Sequence, residues 1–344
     1  MLNHRITLKA RPTGIPGPEH FSEDTVPIRP IETGELLVET MYISIDPAMR
    51  SWISASPGYA RGVAIGGVMR AGGIARIVQT RAEGFAIGDL VQGRTGWQSH
   101  PILHGRDTQK LDLTIGSLED WMGPLGTSAL TAYFGVRDVG ALKPGETMLV
   151  SAAAGGVGQI AAQIGMIDAC RVIGIAGGPE KCRFLTQALG LHGAIDYKSE
   201  NDLAAAIQRE CPNGIDVYFD NVGGPTLNAM LLAMKMQGRI VACGMISDYN
   251  QTDNPNPITN LWQVVARQLT IQGFLLYYFP DAVPVARAAL QTWVAEGKIK
   301  VLEHITRGIA NTPVAYAELM SGKTIGKALV ALDLPEEAGA QASY

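Results

Sequence analysis

The chain has 344 residues, enough for two domains and a large core. Apolar residues make up 47% and charged residues 17%, which is ordinary for a soluble globular protein. The net charge of −4 is small and neither sign is concentrated, which argues against nucleic acid as a main partner, because phosphate binding needs a basic face.

In chain order, the N-terminal "MLNHRITLKARPTG" has no apolar core of signal-peptide length, so no secretion signal is expected. Residues 1–120 hold short strand-like runs broken by Gly and Pro, among them 35–45, 72–80 and 89–93, the mark of an irregular β domain. "HPILH" (100–104) reads as a surface loop, because Pro101 opposes a regular helix. After residue 120 the rhythm changes. Residues 127–140 have helical spacing and end on Gly140, and 146–153 read as a buried strand. The alternation then runs strand 171–176, helix 179–189, short strand 194–196, helix 200–209, strand 215–220, helix 224–234, strand 238–243 and strand 269–274. Such alternation predicts a parallel sheet covered on both faces. A helix is expected over 281–296, and a strand over 326–333 that returns to the first domain. The tail "PEEAGAQASY" is expected to be loose.

Met148 to Ile167 carries no charge over 20 residues, but its clustered glycines make a buried strand–turn–helix the expected reading rather than a membrane span. Cys170, Cys182, Cys211 and Cys243 lie far apart and form no C-x-x-C pair, so free thiols in a reducing cytoplasm are expected.

That uncharged run contains "VSAAAGGVGQIAAQIG" (150–165). It puts Ala153, Gly155 and Gly158 at the three positions of a G-x-G-x-x-G turn, with Gly156 and Val157 between them. Following a strand and opening a helix, the turn predicts a dinucleotide site. Gly155 would admit a pyrophosphate, Gly158 would let the helix pack closely, and the helix N-terminus would face the phosphates. The next strand ends in "GIAGGPEK", without the Asp or Glu that grips an adenosine ribose in NAD enzymes. Gly177 and Gly178 leave room for a 2′-phosphate, and Lys181 could neutralise it, so NADPH is the expected cofactor. Arg183 is a second candidate on the same helix, although two residues on from Lys181 a helical register points it elsewhere.

Six segments carry a resemblance: "YISIDPAMRSW" (42–52), "GTSALTAYFGV" (126–136), "SAAAGGVGQIAAQIG" (151–165), "DVYFDNVGGPTLNAML" (216–231), "GRIVACGMISDYN" (238–250) and "GKTIGKALV" (322–330). With them the chain resembles the zinc-independent medium-chain dehydrogenases/reductases, and within these the alkenal/one oxidoreductase group, over nearly its whole length. The resemblance implies an α/β protein with a Rossmann doubly wound parallel sheet domain over 126–299 that binds NADPH. It also implies an irregular, mostly β (GroES-like) substrate domain over 1–125, completed by 300–344. It assigns the 2′-phosphate to Lys181 with Tyr197, and places Asn221, Cys243, Gly244 and Thr324 along the cofactor. Tyr249 is implied near the nicotinamide ribose, and Phe274 and Leu275 against the nicotinamide through their backbone. Relatives are often dimers, so a homodimer is an expectation. Two positions depart from the group: Ala48 stands where many relatives have a substrate-facing Tyr, and Thr324 where many have Asn.

Zinc-dependent relatives draw their ligands from the first domain. Here "YISIDPAMR" has no Cys and "IGGVMRAGG" (65–73) neither His nor Glu, so no metal is expected. Without one, an activated C=C bond suits hydride transfer better than an isolated ketone. The expected reaction is NADPH-dependent reduction of an α,β-unsaturated ketone or aldehyde at its β-carbon, the enolate met by the nicotinamide ribose hydroxyl and Tyr249 and then protonated at the α-carbon from Tyr249 or from water. An NADPH:quinone reductase is the enzymatic alternative, and a dinucleotide-binding redox sensor the non-enzymatic one.

Overall fold

The computed structural model describes residues 1–54, 61–251 and 256–332. The tail expected to be loose lies outside them. In the first part of the chain run β1 (Leu2–Leu8), β2 (Phe21–Pro27), β3 (Glu35–Ser44), β4 (Gly73–Thr80), β5 (Leu90–Gly93), β6 (Ile102–His104) and β7 (Gln109–Lys110). The second part holds β8 (Thr147–Val150), β9 (Arg171–Ala176), β10 (Gly193–Asp196), β11 (Ile215–Asp220), β12 (Met234–Ala242) and β13 (Thr270–Gly273). The last part adds β14 (Glu303–Arg307) and β15 (Lys327–Ala331).

The strands from β8 to β13 form one parallel sheet in the order β10-β9-β8-β11-β12-β13. Numbered within that sheet the order is 3-2-1-4-5-6, the doubly wound arrangement of dinucleotide-binding proteins. Strands such as Val172–Ala176 and Val217–Asp220 are buried throughout because helices cover both faces, which is why they read as continuous apolar runs. The other sheet is mostly antiparallel, β14-β15-β3-β4-β5-β7, with β6 against β3. Its strand β15 pairs Leu329 with Ser44, so the chain leaves the first sheet, builds the parallel one and returns. The protein is thus α/β, with a Rossmann sheet and a mostly β companion.

The uncharged run Met148–Ile167 is β8, the glycine-rich turn and the helix Gly158–Ile167. No helix among the described residues is long and apolar enough to cross a membrane. "HPILH" is a correction: Ile102–His104 is a short strand paired with Glu35–Leu37, because Pro101 bars a helix but not an edge strand. The helix expected over 224–234 stops at Leu231, and β12 begins at Met234 rather than 238. "MKMQ" has no clear period, and its strand form comes from pairing with Ile215. The helix Thr312–Met320 and strand β14 lie in a stretch without a clean apolar period.

Where the two sheets meet, Tyr42 Oη donates to Glu119 Oε1 at 2.6 Å, and the Glu303 carboxylate lies against Gly123. Burial, then the charges of Glu119 and Asp120, push Glu303 up to about 7. A carboxyl raised above its unfolded value favours the folded state at low pH, and that contribution is lost as pH rises through 7. Glu303→Gln is therefore expected to add about 1 kcal/mol at pH 8, after solvent screening, with the gain shrinking toward pH 5. Denaturant titrations at the two pH values check this; an equal effect at both would show that ionisation is not the cause.

Candidate active site

Register brings the site together. Val150 pairs with Phe219, while Asp220 pairs with Ala242 and Ala242 with Gly273. The residues just past these strand ends, Ser151, Asn221, Cys243 and Phe274, therefore follow one another across one end of the sheet. The order reverses between β8 and β11, and ligands of doubly wound sheets bind in the crevice at such a switch point. Asn221 spans that crevice: its Nδ2 donates to Ser151 O at 2.8 Å and its N–H to Ser151 Oγ at 2.9 Å.

The glycine-rich turn starts with Ala152 at φ +46° and closes by Gly155 N–H donating to Ala152 O at 3.0 Å. Ala153 is fully buried, and it fits because Gly174 on β9 faces it; a Cβ on Gly174 would lie 2.9 Å from the Ala153 methyl. A Cβ on Gly158 would run into Ala152 O and come within 2.8 Å of Ala153 Cα, so only glycine lets the helix lie this close to the turn. Val157 is half-buried beside it. The far domain reaches the same turn: Gly326 N–H donates to Ala154 O at 2.7 Å, and Lys327 Cδ would be 3.0 Å from a Cβ on Gly156. Thr324 is buried in that 322–327 loop.

Past β9, Gly178 adopts φ +102° and donates its N–H to Asp196 Oδ1 at 2.7 Å. A Cβ on Gly177 would sit 2.8 Å from the Tyr197 ring and 2.9 Å from Lys198 Cε. The ends of these two exposed side chains cover Gly177, and the nearby acid Asp196 has Oδ1 held by the N–H groups of Gly178 and Lys198. Lys181 Nζ donates to Gly322 O at 2.7 Å. Burial, then the Lys198 charge, lower its pKa, with Glu180 opposing. Neither lysine forms an ion pair with a described residue, and two ammonium groups so placed are relieved by an anion between them. Lys198 went unnoticed in the sequence although it follows Tyr197 directly. Arg183 is exposed and lines an open groove with Asp196, Thr186, Ser199 and Glu200.

At the other end of the crevice, the segment after β12 folds back on β11. Cys243 and Gly244 donate to Asp220 O, Ile246 to Asn221 O and Ser247 to Val222 O, at 2.9–3.2 Å. This places the Tyr249 hydroxyl 3.3 Å from a Cβ position on Gly244. The Asp220 carboxylate is buried at the root of this turn, where Oδ1 accepts from Tyr218 Oη at 2.7 Å and from the N–H groups of Val222 and Gly223 at 2.9 Å. Burial outweighs these bonds and raises its pKa. Neither Asp220 nor Ser151 was singled out in the sequence; an acid closing a buried apolar strand was the available signal. Burial pushes the half-buried Cys243 thiol up to about 12, which disfavours its thiolate. The Phe274 ring lies edge-on to Phe279 and reaches toward Gly135 in the core, and Leu275 after it is extended.

NADPH fits this lining: a switch-point crevice, a turn where only glycine fits, and unpaired lysines at the end where a 2′-phosphate would lie. A catalytic zinc does not fit. The two stretches where such ligands would stand hold Asp46 alone of the usual ligand types, and it is engaged by Ser44 and Lys327. Among the described residues no three His, Cys, Asp or Glu are grouped to hold a metal.

Two family models match: the N-terminal domain of oxidoreductase over residues 4–111, and zinc-binding dehydrogenase over 156–291. The chain is 37% identical over 333 residues to an NADPH-dependent curcumin reductase of Escherichia coli, covering 95% of this chain and 96% of that protein. It is 37% identical over 334 residues to bovine prostaglandin reductase 1, covering 94% and 97%. The crystal structure of CurA from Vibrio vulnificus in complex with NADPH superposes with a TM-score of 0.92 at 35% identity, over 96% of this chain and all of the other.

Proposed function

Since the chain belongs to the zinc-independent medium-chain dehydrogenases/reductases, in the alkenal/one oxidoreductase group, we propose that it reduces the activated C=C bond of α,β-unsaturated ketones and aldehydes with NADPH. The reading is supported most directly by two features past the strand ends of one sheet: Lys181 and Lys198, without an ion-pair partner among the described residues, follow β9, and the Tyr249 hydroxyl lies beside Gly244 after β12. Bound NADPH supplies a hydride for the substrate β-carbon. Lys181, Lys198 and Tyr197 hold the 2′-phosphate end, and the turn Ala153–Gly158 receives the pyrophosphate at the helix N-terminus. Asn221, Cys243, Gly244, Phe274 and Leu275 line the path between, and Thr324 closes it from the other domain. Tyr249 donates a hydrogen bond to the oxygen that becomes an enolate, and a proton delivered to the α-carbon from Tyr249 or from water completes the reduction. Ala48, half-buried at the start of the helix Met49–Trp52, widens the substrate side relative to a tyrosine.

The test is NADPH oxidation, followed by its absorbance, with a panel of enones, enals and quinones and with NADH in parallel. Enone turnover at least about tenfold better with NADPH than with NADH is expected, one lysine–phosphate contact corresponding to 1.5–3 kcal/mol. Turnover of quinones alone would move the protein to the quinone reductases.

We further propose a division at 125/126 and 299/300, supported by the return of β15 to β3. A homodimer across the open edge of β13 is supported by the exposure of Thr270–Gly273 and of the adjacent Trp262, Val265 and Tyr278. A cytoplasmic location agrees with four free cysteines.

A further inference from the structure

Arg50 is fully buried, and among the described residues no carboxylate lies in ion-pair range of its guanidinium. Burial lowers its pKa. Its three hydrogen bonds go to neutral acceptors on three separate stretches of chain. Nη2 donates to Pro12 O at 3.0 Å, Nη1 to Ser54 Oγ at 3.1 Å and Nε to Asn250 Oδ1 at 2.9 Å. A charge placed so deep is costly, and an apolar side chain would fill the space more cheaply. What an apolar side chain cannot do is reach three segments with a rigid planar fork.

Two of those contacts stay within the first domain. The third crosses to the Rossmann side, one residue beyond Tyr249. The segment 243–249 is fastened on its inner side by backbone bonds to Asp220, Asn221 and Val222, and closed on itself by Tyr249 N–H donating to Met245 O. Its outer end is fastened by Asn256 on Asp248, and across the domain boundary by Arg50 on Asn250. The Tyr249 ring packs with the cluster of the first domain that contains Ile53 and Tyr316. Tyr249 therefore sits on a strap fastened within the Rossmann side and, at Asn250, tied to the first domain as well.

We propose that Arg50 and Asn250 form an interdomain clamp, positioning residues that set the Tyr249 hydroxyl at the end of β12 when the two domains are correctly apposed. The proposal rests on the reading of Tyr249 as the group that meets the enolate.

The experiment is a double-mutant cycle on Asn250→Ala and Tyr249→Phe. It reads kcat with 3-nonen-2-one and the Kd of NADPH by fluorescence. Asn250 is used because Arg50→Met risks the fold. Asn250→Ala is expected to lower kcat about tenfold, with the NADPH Kd changed less than threefold. In the Tyr249→Phe background the same substitution is expected to do nothing further. Asn250→Asp, which offers Arg50 a charged acceptor, is expected to keep most of the turnover. Full turnover in Asn250→Ala, or an undiminished tenfold loss on top of Tyr249→Phe, would overturn the clamp while leaving Tyr249 in place. Full turnover in Tyr249→Phe would overturn the reading of Tyr249 and the clamp with it.

Discussion

Tyr249→Phe is expected to slow enone reduction roughly 10²-fold, equivalent to about 2.7 kcal/mol of transition-state stabilisation. The phenol hydroxyl faces Gly244 at the end of β12, where the sheet presents its strand ends to ligand, and the ring is wedged against the first domain. Removing the oxygen leaves the ring in place, so packing is preserved. The effect should fall on kcat, because the developing enolate charge exists only in the transition state. The NADPH Kd should stay within about threefold, since the lysines proposed to hold the 2′-phosphate follow β9 and not β12. Stopped-flow traces with NADPH and 3-nonen-2-one separate hydride transfer from cofactor binding. A variant with the parent's rate would remove the hydroxyl from the chemistry and leave Tyr249 as a packing residue.

Lys181→Ala should weaken NADPH binding by about 1.5–3 kcal/mol and leave NADH binding nearly unchanged. Lys181 is half-buried and its neighbour Lys198 carries the same sign, so the free protein holds two unpaired cations together. A 2′-phosphate relieves that repulsion and gains charge-assisted bonds. Lys198 remains after the substitution, so the single loss should lie toward the lower bound. Lys181→Ala combined with Lys198→Ala should abolish most of the preference for NADPH over NADH. The loss should also shrink at high salt, because Lys198 is exposed and screened. Fluorescence titrations of both cofactors at two salt concentrations check each point. An unchanged preference in the single variant would mean that Lys181 serves only to tie Gly322 to the helix Pro179–Arg183.

Much of this molecule was fixed by its sequence. Buried parallel strands must be continuous apolar runs, so β9 (171–176) and β11 (215–220) were legible to the residue. The glycine turn was legible because close packing of the helix Gly158–Ile167 tolerates no Cβ at Gly158. The cofactor followed from an absence, two glycines where an acid would stand, although the space above Gly177, expected to be open, is covered by the ends of the Tyr197 and Lys198 side chains. The family was carried by six motifs. The tertiary structure alone decided which residues meet across long separations. Asn250 meets Arg50 200 residues away, Lys181 meets Gly322 141 residues away, and Lys327 meets Asp46 281 residues away. Such pairs leave no local periodicity, because each partner's position is set by the register of a different sheet. For the same reason the sequence flagged Arg183 and passed over Lys198. Charge and composition are local properties, whereas the direction in which a side chain points is settled by the packing of the element that carries it.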